Sequence, residues 1–483
     1  TQKIMKLLQG IIIVFFNFIA ALSFAQEDTL SKDSTLLHTH KSNDTTSYTI
    51  GSIVLKGNKK TKNYIVFREV PFKEGDVVTP AQLTEKLELA REQIMNTALF
   101  VDATVYVSYI TKNIASINID LKERWYIFPL PYFKLIDRNF NQWWFDQNRS
   151  LDRVNYGLKF FQHNVSGRND KVSLDVVTGY NRQIALNYSQ PFADKTLKHG
   201  FGIGFSYNKQ REMNYATLNN KQAFFKLNDG FVREAIRATG TYSYRPDSKY
   251  RFYASFTYAK DIVNDTILKL NPQYLPANSG NTLAYLSAAT TLQYYGVDYI
   301  PFPKKGFMYE VGFFHRGFKK SFNITSLSLE TTNAITLTKN SFVQFHNYGV
   351  VRFNANQPFY NMGLLGYGDS YLRGMENYVI DGTAGFLSNT TFYKKLFTYI
   401  FKNPIKSKSH DKIPFSFYLK AFGDLGFVHN SNPTITNNFH NRLLRTAGIG
   451  LDIVSIYDFV FRLEYSFNQF GDKGFAFRTR GDF

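Results

Sequence analysis

The stretch Phe459-Val460-Phe461-Arg462-Leu463-Glu464-Tyr465-Ser466-Phe467 carries an apolar or aromatic side chain at every odd position. Arg462, Glu464 and Ser466 stand at even ones. Phe475, Phe477, Thr479 and Phe483 repeat the pattern against Ala476, Arg478, Arg480 and Asp482. A period of two belongs to the β-strand, whose successive side chains point to opposite faces. A soluble sandwich alternates too, but its outer face does not carry repeated phenylalanine. One apolar face and one charged face suit a strand between lipid and a water-filled lumen.

Working back from the C-terminal end, the same pattern recurs as far as Arg153. Sixteen segments are counted, from 153–162 to 475–483, with 221–227 as the fifth; bacterial barrels require an even number. The expectation is a transmembrane antiparallel β-barrel over residues 153–483. With the preceding domain in the periplasm, the segment 153–162 is expected to run outward. Connections 261–281 and 354–382 then lie outside, and 339–340 and 455–458 lie on the periplasmic side.

Composition agrees. The chain has 47 Phe and 32 Tyr, yet a mean hydropathy of only −0.28. A membrane barrel needs both aromatic surface and polarity. There is no cysteine, which excludes a disulfide framework, a thiolate metal site and a cysteine nucleophile. The formal charge is +19, or +17 without Lys3 and Lys6. Such a balance points to nucleic acid or to an anionic membrane surface. No basic run sits on a nucleic-acid-binding pattern, and export argues against nucleic acid. Lipid headgroups or an acidic client are the expected partners, beside the plain reading of a basic lumen.

The export signal is read at the start. Met5 is taken as the initiator, followed by Lys6, an apolar run over 11–22 broken by Asn17, and small residues Ser23 and Ala25 before Gln26. That is a basic region, a short apolar core and a cleavage site, so 1–25 is expected to be a signal peptide. The apolar run is shorter than the ~20 residues a membrane anchor needs. Residues 26–47 are polar and read as a disordered linker, in which His38 and His40 are not taken as a metal site.

Residues 48–124 read as a compact α+β unit in the order strand, helix, helix, strand, strand. Tyr48–Lys56 alternates and ends at the turn pair Gly57-Asn58. A short helix is expected over 61–69. Thr79-Pro80 opens a second one, whose Leu83, Leu87, Ala90, Ile94 and Ala98 make one apolar stripe. Two strands follow, over 100–109 and 114–122. Residues 125–152 are left as a connector.

The chain resembles the BamA superfamily of outer-membrane assembly factors and two-partner secretion transporters. Its soluble unit has the strand and helix order of a POTRA domain, and Thr97-Ala98-Leu99-Phe100-Val101-Asp102 resembles the family's link into its second strand. Gly366-Tyr367-Gly368-Asp369-Ser370-Tyr371-Leu372-Arg373-Gly374-Met375 resembles the Arg-Gly motif of the sixth external loop, which folds into the lumen. Phe422-Gly423-Asp424-Leu425-Gly426 resembles the aromatic-x-Asp-x-Gly motif of the thirteenth strand. Smaller echoes are Asp298 with Pro303 and Gly306, and Gly448-Ile449-Gly450-Leu451. Three departures stand out: Met375 replaces the usual aromatic residue, a single POTRA unit is visible, and the linker has no apolar helix to plug the barrel.

The resemblance implies an assembly factor that takes clients on the POTRA domain and inserts them at the barrel seam. The alternative is a polypeptide-secreting transporter of the two-partner type; a passive porin with a grafted domain explains the motifs poorly. Partners would be unfolded outer-membrane proteins or a secreted polypeptide, outer-membrane lipids, and periplasmic lipoprotein subunits. No phosphate loop, metal motif or nucleophile elbow appears, so no enzyme, cofactor or metal is expected. Four sets of residues are singled out. Arg373 with Gly374, and Asp424 with Gly426, would lock the loop in the lumen. Gly157, Phe477 and Phe483 would border a seam between 153–162 and 475–483. Lys394, Lys395, Phe397, Phe401 and Lys402 fall in 392–412, where the barrel pattern fails, and are read either as a membrane-interface or partner-docking segment or as a strand that simply runs on. In the domain, 47–56 and 100–109 are candidate edges for adding a client strand.

Overall fold

Thr79 and Pro80 start the helix that organises the soluble domain. The Thr79 hydroxyl accepts from the Gln82 N–H at 3.3 Å, and the Gln82 side chain accepts from the Thr79 N–H at 3.0 Å. Pro80 sits in the first turn, where an N–H would have no partner. The helix Pro80–Met95 buries Leu83, Ala90 and Ile94. Its stripe ends there: Asn96 caps the helix, and Ala98 lies beyond it in a left-handed conformation, φ 58°.

The computed structural model describes residues 47–136, 150–319, 322–354, 357–368, 370–403, 412–431 and 437–480. The expected signal peptide, nearly all of the linker with His38 and His40, and Phe483 lie outside them. In the domain, strands β1 (Tyr48–Lys56), β2 (Val77–Val78), β3 (Phe100–Thr111) and β4 (Ile114–Glu123) form one sheet in the order β2-β1-β4-β3. β1 and β4 are parallel, and β3 and β4 antiparallel. The first helix is shorter than expected, Asn63–Phe67. Of the two candidate edges, β3 is one; β1 pairs with β4 on one side and is covered by β2 on the other only at Tyr48 and Thr49, so among the described residues the rest of that side pairs with no strand.

Sixteen further strands form one antiparallel sheet rolled into a barrel: β5 (Ile127–Leu135), β6 (Val154–His163), β7 (Lys171–Gly179), β8 (Arg182–Gln190), β9 (His199–Gln210), β12 (Arg233–Tyr244), β13 (Tyr250–Val263), β14 (Thr282–Val297), β15 (Gly306–Lys319), β16 (Phe322–Thr338), β17 (Ser341–Arg352), β20 (Ala384–Lys402), β21 (Lys412–His429), β22 (Leu444–Val454), β23 (Val460–Asn468) and β24 (Lys473–Arg480). β10 (Glu212–Leu218) and β11 (Lys221–Lys226) pair only with each other, as do β18 (Gly363–Leu365) and β19 (Ile380–Asp381). Outward side chains such as Ile203, Phe256, Leu286, Ile449, Leu463, Phe475 and Phe477 are half exposed or more. An apolar belt of that extent belongs in a bilayer rather than in water. Among the described residues no helix is long and apolar enough to cross a membrane.

Two expectations are corrected. The connector 125–152 contains the first strand of the sheet, β5, paired with β6 from Ile127↔Gln162 to Leu135↔Val154. Segment 221–227 is not a barrel strand: β10 and β11 make a hairpin between β9 and β12. One strand gained and one lost leave the count at sixteen, but the first four segments of the sequence reading run in the opposite sense. β5 leaves the domain, so β6 returns to it. From β12 onward the expected alternation holds.

Candidate functional site: an ion-paired lock in the lumen

The loop between β17 and β20 enters the lumen, led by an apolar turn. Leu372 and Met375 are buried with Leu364, Leu365, Leu387, Val428 and Leu444. Met375 stands where an aromatic residue was expected, and its flexible thioether fills that apolar slot. Gly374 adopts φ 87°, and a Cβ there would meet Ser466 at 3.1 Å. Gly426 lies under Leu372, whose Cδ1 would be 2.7 Å from an added Cβ.

That turn presents Arg373 to the lumen face of β20–β23. Its backbone N–H and its Nε donate to Asp424 Oδ2 at 3.0 and 2.9 Å, and Nη2 donates to Asp424 Oδ1. Nη1 donates to Thr391 Oγ1 at 3.0 Å, and the guanidinium lies 3.9 Å from the Phe422 ring centre. Asp424 is fully buried. The geometry is a two-pronged carboxylate–guanidinium pair, which fixes orientation as well as charge.

A second network, not seen in the sequence, continues from it. Lys420 Nζ lies 2.5 Å from Asp452 and 2.7 Å from Glu464, all three buried. Arg478 of β24 pairs with both Glu464 and Glu376 of the loop, and its guanidinium lies 4.7 Å from the Tyr371 ring centre. Gly450 lies opposite both Lys420 and Glu464 in register. A Cβ on it would stand 2.9 Å from the Lys420 side chain, so the small residue leaves the path the lysine crosses. Alternation already placed Glu464 and Arg478 on the charged parity; their partners depend on register, which no local pattern reports.

The far side is capped. Tyr367 donates to Asp381 at 2.6 Å and bonds Thr217 of β10 at 3.1 Å. Asn220, at the hairpin tip, accepts from the Val379 N–H at 2.9 Å and from the Asn438 N–H at 3.0 Å.

The soluble domain covers the near mouth. Arg124 grips Asp458, in the β22–β23 turn, at 2.8 and 3.2 Å. Buried Glu69 accepts from Arg245 at 2.7 Å. Burial pulls the Arg245 guanidinium below its ordinary pKa, against the attraction of Glu69. Arg68 donates to the carbonyls of Leu197 and Arg245 at 2.7 and 2.6 Å. Phe192, from the β8–β9 turn, is buried in the core of the domain. Asn96 accepts from the Ile300 N–H at 2.9 Å in the β14–β15 turn. That turn reaches inward, so Phe302 packs on Phe342, Tyr393 and Tyr418 with ring centres 5.0 to 5.7 Å apart. A cavity of about 750 Å³ remains between Phe302 and Arg373.

Residues 48–124 match the POTRA family, described as surface antigen variable number repeat. The domain is of the POTRA type. The POTRA domain and barrel together are similar to the crystal structure of BamA from Haemophilus ducreyi lacking POTRA domains 1–3. Identity is 16%, the TM-score is 0.50, and the match covers 90% of this chain and 84% of that one. CdiB from Acinetobacter baumannii is similar over 89% of this chain and 73% of that one, at 13% identity and TM-score 0.48. CdiB from Escherichia coli matches 93% of this chain and 92% of that one, at 10% identity and TM-score 0.47. The fold is thus the POTRA-and-barrel fold of BamA. No curated protein sequence matches the chain.

The other singled-out residues fall elsewhere. Gly157 lies in β6, one strand in from the edge, paired with Tyr132 and Val177. Phe477 does lie on the edge strand β24. The seam therefore faces β5, not 153–162. Lys394, Lys395, Phe397, Phe401 and Lys402 do not form a separate segment. β20 runs on to Lys402 and pairs with β21 as far as Lys402↔Lys412. Residues 404–411, with Lys406 and Lys408, lie outside the described residues.

Proposed function

We propose that the protein is an outer-membrane insertion factor of the BamA type, with the POTRA domain in the periplasm and client strands admitted at the seam between β5 and β24. One observation carries this reading. Among the described residues no ladder joins β5 to β24, whereas chain segments stand in the lumen at several levels. The β17–β20 loop is ion-paired inside it, the β10–β11 hairpin caps it, and the β14–β15 turn and POTRA domain close its near mouth. Passage of a polypeptide through the lumen would break several buried charge pairs. Entry at the seam breaks none of them.

The native chain has no cysteine, so a disulfide can be placed across the seam alone. One cysteine in β5 and one in β24, oxidised, should abolish assembly of a urea-unfolded outer-membrane barrel into proteoliposomes holding the protein. Reductant should restore it. Undiminished assembly with the seam locked rejects insertion and leaves secretion through the lumen as the working reading.

A further inference from the structure

Across β8, β9 and β12 the outward face of the barrel changes character at the end away from the POTRA domain. Ile184 and Leu186 of β8, Ile203 and Phe205 of β9 and Ile236 of β12 point outward and are exposed. Following the same parity of each strand toward the far end replaces them with charge: Arg182 in β8, Lys209 in β9 and Glu234 in β12. In register, Arg182 stands opposite Lys209, and Lys209 opposite Glu234. Opposite residues of an antiparallel pair share a face, and like charges there are destabilising. Arg182 and Lys209 are such a pair.

The surroundings only half repair this. Lys209 Nζ lies 2.8 Å from Glu234 Oε1, and Tyr207 donates to the other oxygen of that carboxylate at 3.2 Å. Arg182 is exposed and has no hydrogen bond or ion pair among the described residues. Its guanidinium instead lies 5.3 Å from the Phe231 ring centre, and Lys209 and Arg211 meet the same ring at 5.5 and 5.8 Å. Beside them Lys226 of β11 lies 5.7 Å from the Tyr180 ring centre, and Tyr180 donates to Glu212 Oε2 at 2.9 Å. Four cations thus gather on two aromatic rings, and the two carboxylates bonded within the group already hold partners. A ring face attracts cations without neutralising them. The group keeps positive charge and N–H donors at the border of an apolar surface that belongs in lipid.

We propose that Arg182, Lys209, Arg211 and Lys226 bind the phosphate of an acylated glycolipid of the outer leaflet, of lipid A chemistry, whose acyl chains lie on the apolar surface of β8 and β9. A phosphate accepting from both Arg182 and Lys209 removes the conflict between them, and a guanidinium fork fits it. The leaflet follows from the POTRA domain lying in the periplasm, and the inference rests on that part of the reading above. It is independent of whether clients are inserted or secreted.

The test uses the full chain in detergent micelles, native mass spectrometry and three lipids: bis-phosphorylated lipid A, the same lipid stripped of phosphate, and phosphatidylglycerol. Lipid A should be retained at least about tenfold better than either of the others, and Arg182→Gln with Arg211→Gln should lower its retention at least about tenfold, as expected for two charge-assisted hydrogen bonds. Arg182→Gln alone breaks no bond among the described residues, so the variant should unfold at the native temperature and still cost about threefold. Arg445→Gln, at an exposed arginine opposite outward Leu425 at the same end of the barrel, should change nothing. Equal retention of the stripped lipid or of phosphatidylglycerol, displacement of lipid A by inorganic phosphate, or equal effects of the Arg182 and Arg445 variants would overturn the proposal. Orientation is checked separately: Leu218→Cys, exposed on the β10–β11 hairpin, should react with a membrane-impermeant maleimide on intact cells. Phosphate-dependent binding in micelles without labelling on cells would remove the periplasmic reading of the POTRA domain, and the outer-leaflet ligand with it. Labelling without phosphate-dependent binding would remove the glycolipid site alone.

Discussion

The two ends of the sheet are built differently. β20 and β21 are nineteen and eighteen residues long, and their lumen face, with β22 to β24, holds the chain of charges from Arg373 and Asp424 through Lys420, Asp452 and Glu464 to Arg478. β5 to β8 are nine or ten residues long. Their lumen face carries Lys159 and Asp175, 3.8 Å apart and partly exposed. Buried pairs tie strands and loop into one unit, because a charge that loses its partner in a dry interior is costly. An open pair in water ties little. The seam divides these two regions, and we propose that the braced end holds its shape while the slight end yields.

The largest effect is expected at the braced end. Arg373→Ala or Asp424→Ala strands a buried charge and should destabilise the barrel by about 3–5 kcal/mol. Each should abolish assembly activity and open the β17–β20 loop to added protease. Arg373→Lys should recover only part, since lysine lacks the fork. The double variant should cost less than the sum of the two singles in denaturant unfolding; strict additivity would mean that the pair is not one interaction.

The same operation at the slight end should do little. Lys159→Ala removes a partly exposed partner, and less than about 1 kcal/mol is expected in the same unfolding measurement. A loss comparable to that of Asp424→Ala would erase the contrast between the two ends.

How far the sequence speaks can be judged from particular strands. Alternation shows which side chains face the lumen, so Glu464 and Arg478 were legible as lumen groups. Pairing of Arg373 with Asp424 came from the motif resemblance, and the Lys420 network was missed because it depends on register across three strands. β5 was hidden by Pro129 and Pro131, which argue against an interior strand; it is a strand because it lies at the edge. The segment 221–227 has the length and composition of a strand, but Phe224 and Phe225 fall on both parities, and it pairs with a hairpin partner rather than in the barrel. These misreadings are opposite in sign, which is why the strand total survived while the sense of the first four did not.

A smaller effect is expected where β20 and β21 outrun their neighbours. Beyond Lys394, which pairs with the first residue of β17, and Ser416, which pairs with the last of β22, the two strands pair with no other strand among the described residues, apart from single bonds from the Lys395 N–H to the Asn340 carbonyl and from the Ser455 hydroxyl to the Pro414 carbonyl. Phe397 and Phe417 stack there with ring centres 4.6 Å apart, and Leu396, Tyr399 and Ile400 are about half exposed. We propose that this ribbon meets the membrane interface, where aromatic rings and lysines are favoured. Replacing Lys394, Lys395, Lys402 and Lys412 by glutamine should leave the barrel folded and weaken flotation with vesicles containing anionic lipid about threefold relative to neutral ones, within the roughly 1 kcal/mol available per surface lysine. Unchanged flotation returns the ribbon to an ordinary long hairpin.

The central claim is that the barrel is braced at one end and yields at the other, and hydrogen–deuterium exchange in a lipid nanodisc tests it most directly. Backbone amides of β5 to β8 should exchange at least about tenfold faster than those of β20 to β22, with β24 protected on its β23 side alone. Uniform protection around the barrel, or faster exchange in β20 to β22, would contradict the account.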